Sequence, residues 1–185
     1  MAERIIRGAN DPALFVQAKT VANISAGVIR LLDDLVETMR ANSGVGLAAS
    51  QVGIAKRIFV VEYEDKLYEM INPQIISEEG KVLDIEGCLS FPGLWGEVFR
   101  PEKIVVKAQN RQGEFYEVIA EGVLARAICH EYDHLDGRVF TDLVDHFLSA
   151  EELEELFGSE PTQKAVIEYT AGEKSVTSLN NGQTK

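Results

Sequence analysis

From Ser25 to Ala41 the apolar positions Val28, Leu31, Leu32, Leu35 and Met39 recur at the spacing of one helix face. Asp33, Asp34 and Glu37 fall on the other side. The pattern predicts a surface helix packed on the core and ended by Asn42-Ser43-Gly44. The glycines at 44 and 46 leave the backbone too free to carry the helix further. The period then changes. Arg57–Tyr63 is rich in β-branched and aromatic residues, Leu67–Ile71 follows closely, and Glu64-Asp65-Lys66 between them suits a hairpin. A second pair, Lys103–Ala108 and Phe115–Ala120, is joined through Asn110-Arg111-Gln112-Gly113. Helical spacing returns from Gly122 to Leu135, with Leu124, Ile128, Tyr132 and Leu135 along one flank and Gly137 where a C-cap glycine belongs. A last helix is expected from Ser149, which makes a capping-box pattern with Glu152, and Pro161 is expected to interrupt or end it. Hairpins outnumber strand-helix-strand units, which predicts antiparallel sheet and an α+β class.

Composition narrows the partners. The chain has 185 residues, and Lys+Arg 18 against Asp+Glu 30 gives a net charge of −12. Duplex DNA and anionic membranes would repel such a surface. No run approaches the roughly 20 apolar residues needed to span a bilayer. The first residues read as neither a signal nor a transit peptide, so the expected setting is a reducing cytoplasm. Two cysteines, Cys88 and Cys129, cannot staple a chain of this length, and their thiols are free for other chemistry. Without an internal repeat or a break in composition, residues 1–170 are expected to form one catalytic domain. Residues 171–185, polar and rich in Ser, Thr, Asn and Gly, are expected to form a frayed tail.

Chemistry concentrates in His130-Glu131-Tyr132-Asp133-His134, which uses two of the three histidines. Histidines at i and i+4 share a helix face and can reach one tetrahedral metal, while Glu131 can take a proton from a metal-activated water. A third ligand is needed. A histidine six residues beyond the motif would serve, but Phe140 stands there despite Gly137 in its expected place. Glu151, Glu152, Glu154 and Glu155 lie at the distance used by another class of zinc peptidase, and also suit a solvated helix face. His146 is a further option. Cys129 points about 100° away from His130 on the helix and reads better as a small buried hydrophobe. Cys88, in Glu86-Gly87-Cys88-Leu89-Ser90, is free to approach from a separate segment and would give a Cys-His-His set with one position left for water. A third stretch, Gly44–Gln51, lacks the lysine and spacing of a phosphate loop. It reads either as a tight packing loop or as a close approach in which the Gln51 amide donates to an oxyanion.

In order and spacing, GVGLAASQ (44–51), EGCLS (86–90) and HEYDH (130–134) together resemble the peptide deformylase family, a likeness running from about residue 10 to residue 148. Asp11-Pro12 and Arg100-Pro101-Glu102-Lys103 add to it. The resemblance implies antiparallel β-sheets packed around a central helix carrying the HExxH motif, with a C-terminal helix. It implies removal of the formyl group from the N-terminal formylmethionine of nascent polypeptides, with release of formate. Carried onto this chain, it makes Cys88, His130 and His134 the metal ligands and Glu131 the general acid and base. Gln51 and the Leu89 backbone N–H would stabilise the oxyanion, and Val45, Gly46 and Gly87 would line an extended peptide as an added strand. One divalent metal is implied, Fe²⁺ in the cell with Zn²⁺, Ni²⁺ or Co²⁺ as substitutes, and residue types alone do not choose among them. Two positions depart from the pattern: Cys129 replaces a glutamine common before the His-Glu pair, and Phe15 replaces an arginine. The rival readings are a metallopeptidase using a downstream glutamate and a binding protein, for instance a ribosome-associated one, that keeps the fold. The acidic charge lends no support to ribosome contact.

Overall fold

The computed structural model describes residues 2–158; the expected break at Pro161 and the 171–185 tail lie outside them. Among the described residues, three α-helices, α1 (Ala26–Ala41), α2 (Gly122–Leu135) and α3 (Ala150–Phe157), combine with eight strands. β1 (Gly46–Ala48), β2 (Ile58–Tyr63), β3 (Lys66–Glu79), β6 (Lys103–Gln109) and β7 (Phe115–Glu121) form one antiparallel sheet in the order β1-β2-β3-β6-β7. β4 (Val82–Cys88), β5 (Phe91–Arg100) and β8 (Val144–Phe147) form a second, in the order β4-β5-β8. The predicted α+β class and both predicted hairpins are present. The β2–β3 turn is tighter than expected: Glu64 and Asp65 alone span it, both at positive φ, as a two-residue hairpin of matching twist requires.

β2 explains why the large sheet lies between two helices. Its run Ile58-Phe59-Val60-Val61 is buried on both faces. Ile58 and Val60 join Leu31, Leu32, Leu35 and Met39 of α1, while Phe59 and Val61 join Leu124, Ala125 and Ile128 of α2. A strand covered on both sides loses its alternation and reads as continuous apolar sequence. α2 is therefore central, its apolar flank on the large sheet and its polar flank toward β4 and β5. Gly137, at φ +70°, ends it as predicted.

Two features differ from expectation. Asp34, read as lying on the outer side of α1, is buried, because residues 2–4 cross that face: Ala2 N–H and the Arg4 guanidinium both donate to its carboxylate. The β4–β5 hairpin was not legible as strands, and it carries Cys88 at its tip, where the register shifts between Gly87 and Cys88. Among the described residues, no helix is long and apolar enough to cross a membrane.

Candidate metal centre and active site

One turn of α2 and one hairpin tip meet at the site. His130 and His134 stand on the same helix face, their ring centroids 5.1 Å apart. The β4–β5 turn brings Cys88 against them, with Sγ 3.3 Å from His134 Nε2. One ligand atom from each of Cys88, His130 and His134 lies within 4.8 Å of the others, the sole such trio of His, Cys, Asp or Glu among the described residues. Residue spacing left the third member of the set open, and the family resemblance named Cys88. The chain's folding brings in Cys88 rather than the alternatives: His146 bonds Glu152 at 3.1 Å at the surface, and Glu151, Glu154 and Glu155 project from α3.

The donor chemistry fits a cation. His130 Nδ1 is 2.9 Å from Glu86 Oε2, which fixes the ring and leaves Nε2 as the nitrogen able to coordinate. Burial alone would depress His130, but Cys88 and Glu86 draw its affinity for a proton well above the ordinary imidazole value. The same negative surroundings favour a metal ion. Burial and the charges of His130 and Arg100 hold His134 well below the usual range, hence neutral and able to ligate. Glu86 is itself buried, yet hydrogen bonds from His130 and Arg100, with their charges, hold it at about 2. Arg100 also donates to Asp133, at 2.5 Å, so the carboxylate network reaches back to the same helix.

Glu131 occupies the cavity beside this trio. Burial pushes its carboxyl up to about 7 against the pull of His130, and Glu86 adds to the rise. Its Oε2 is buried without a hydrogen-bond partner in the structure. Gly46 makes room for it: a Cβ there would lie 2.5 Å from Glu131 Oε1. Gln51 approaches from the short 3-10 turn after β1. Its Oε1 accepts from Ala48 N–H at 2.8 Å, which orients the amide so that Nε2 faces Cys88 Sγ at 3.4 Å and Ser90 Oγ at 3.3 Å.

These groups share a cavity of about 260 Å³. Val45, Gly46, Gln51, Gly87, Leu89 and Glu131 line it with Cys88 and His130, and His134 lies fully buried behind. β1 and β4 are edge strands of their sheets, and both border the cavity. Trp95 forms part of the wall and packs on Gly87, where a Cβ would come within 2.9 Å of its ring. Cys129 is not on this cavity. It belongs to the apolar cluster against the large sheet, where burial pushes its thiol up to about 12, so it neither reshapes the pocket nor offers a reactive thiolate.

Glu86, Arg100 and Asp133 stand in stretches that carry the family resemblance but were given no role from sequence, and Arg126 was not singled out. The available signal was charge: Glu86 adjoins the Gly87-Cys88 pair, and Asp133 sits three residues after His130 on a helix that must be mostly buried.

The family model described as polypeptide deformylase matches residues 3–149. The chain belongs to the peptide deformylase family. It is 51% identical over 154 residues to the peptide deformylase of Caldanaerobacter subterraneus, covering 83% of this chain and 97% of that one. To that of Acetivibrio thermocellus it is 51% identical over 154 residues, covering 83% and 91%. Its fold is similar to the crystal structure of peptide deformylase from Thermotoga maritima, with TM-score 0.77 and 38% identity over 78% of this chain and 99% of the other. It is also similar to the Synechococcus elongatus peptide deformylase solved with actinonin, with TM-score 0.75 and 36% identity over 82% of each chain. The chain is thus an enzyme, a metal-dependent hydrolase that removes the N-formyl group from the formylmethionine of nascent polypeptides and releases formate.

Proposed function

We propose that Cys88, His130 and His134 hold the metal, that Glu131 moves the protons, and that Gln51 and the Leu89 backbone N–H receive the negative charge of the transition state. The observation that carries this reading is the meeting of one thiol and two imidazoles within 4.8 Å, beside a buried glutamate in the same cavity. When bound, the metal supplies Lewis acidity, which makes water a nucleophile at neutral pH and polarises the formyl carbonyl. Glu131 accepts the proton of the attacking water. A carboxyl held near 7 suits both halves of that task, since it can later return the proton to the departing amine. Gln51 is preorganised by its bond from Ala48, so its Nε2–H bonds need no reorganisation as charge grows on the formyl oxygen.

The substrate reading rests on the two strand edges. An extended formylmethionyl peptide adds between β1 and β4 against the backbone of Val45, Gly46 and Gly87, its formyl end directed to Glu131. We take Fe²⁺ as the cellular metal and Zn²⁺, Ni²⁺ or Co²⁺ as substitutes, all compatible with a thiolate and two imidazoles. We place the reaction in the cytoplasm. A net charge of −12 opposes firm docking on ribosomal RNA, so we read any ribosome association as a passing encounter. The test is formate release from a formyl-methionyl peptide by anaerobically purified protein. About one iron per chain and chelator-sensitive turnover are expected. Glu131→Ala should keep the metal and lose turnover; an active Glu131→Ala enzyme would contradict the assigned role.

A further inference from the structure

The ligands of the proposed centre come from two elements that meet through polar contacts. His130 and His134 belong to α2, while Cys88 belongs to the tip of the β4–β5 hairpin. The apolar flank of α2 is committed to the large sheet, so its grip on the hairpin depends on charged side chains. One of these is Arg126, a helical turn before His130. Its Nη1 donates to Glu86 Oε1 at 2.9 Å and to Val98 O at 2.8 Å, and its Nη2 donates to Val82 O at 3.0 Å. A single guanidinium thus bridges α2 to both strands of the hairpin. It also touches the carboxylate that orients His130. Arg126 lines the active-site cavity, and both of its terminal nitrogens are engaged by the hairpin.

Charge balance points the same way. Glu86 and Asp133 share Arg100, and the more exposed Arg138 pairs with Asp133 at 2.7 Å, so without Arg126 Glu86 would have only a shared guanidinium beside it. Arg126 supplies the second cation at Glu86 Oε1, so that Oε2 stays directed at His130 Nδ1.

We propose that Arg126 is a positioning residue for the metal centre, setting the separation between the cysteine-bearing hairpin and the histidine-bearing helix. This rests on the ligand set proposed above. A methionine at 126 would keep the unbranched stem and lose every one of these bonds. Outer-shell groups of this kind are worth about 10–100-fold in metal affinity when removed.

The test uses the full chain loaded with Co²⁺, following metal release to an excess of chelator and the thiolate-to-cobalt absorption. R126M is expected to release cobalt about tenfold faster than the unsubstituted enzyme, with altered absorption and with kcat falling more than KM rises. R126Q is read by the same criteria if R126M does not fold. Release at the original rate with unchanged absorption would overturn the proposal even if the melting temperature fell, because a purely structural tie predicts only that fall. C88A separates the two readings, since it should lose stoichiometric cobalt whatever Arg126 does. Full cobalt retention in C88A overturns the ligand set and this inference with it.

Discussion

Glu131 and Gly46 occupy adjoining space, and neither can be understood alone. The carboxylate lies where a side chain at 46 would be, so Gly46→Ala must displace it. We expect Gly46→Ala to retain fold and metal and to lose at least about 10²-fold in kcat, because a misplaced base forfeits most of its catalytic effect. Steady-state formate release with metal analysis on the same sample checks this; undiminished kcat would contradict the packing. Gln51→Leu is expected to lower kcat by about 10²–10³, as loss of one oxyanion donor does elsewhere, with little change in metal content. An unchanged rate would mean that the charge is received by other groups. At this scale the sequence was most legible where chemistry obeys local spacing. His130, Glu131 and His134 follow from one helical turn. Cys88 does not, because its approach depends on a hairpin 42 to 46 residues away along the chain, and spacing alone left it in competition with His146 and the α3 glutamates.

The elements divide by how they are buried. β2–β3 and β6–β7 were readable because β-branched and aromatic runs flank short polar loops, and β6 keeps a strict buried alternation at Ile104, Val106 and Ala108. β4–β5 was not. Asp84, Glu86, Glu97 and Arg100 interrupt its apolar positions, and Gly87, Pro92, Gly93 and Gly96 weaken its strand character. Its buried charges are satisfied by one another across the hairpin and by α2, relationships that periodicity does not record. α1 was read correctly in extent, but the burial of Asp34 depends on the N-terminal arm that covers it. The end of α2 gives a prediction that belongs to this scale. Gly137 adopts φ +70°, and a Cβ there would lie 2.8 Å from the backbone of Phe15. Gly137→Ala should destabilise the fold by more than about 1 kcal/mol, seen as a lower urea midpoint with unchanged slope. A midpoint equal to that of the unsubstituted chain would show that neither the strain nor the contact is felt.

Across the whole molecule, the large sheet and its two helices supply most of the apolar core, and the small sheet delivers the thiol to a helix already fixed by that core. The division accounts for what was readable. The apolar body follows from local pattern, whereas the polar seam between α2 and β4–β5 follows from charges that find one another only on folding. That seam is where the proposed metal centre lies. The central claim is that one sulfur and two ring nitrogens bind a single metal there. X-ray absorption on the zinc-loaded protein tests it most directly, with ligand distances of about 2.3 Å for sulfur and about 2.0–2.1 Å for nitrogen expected in such a centre. The account predicts one sulfur and two imidazoles in the inner shell. A shell of nitrogen and oxygen alone, at full zinc occupancy, would contradict it.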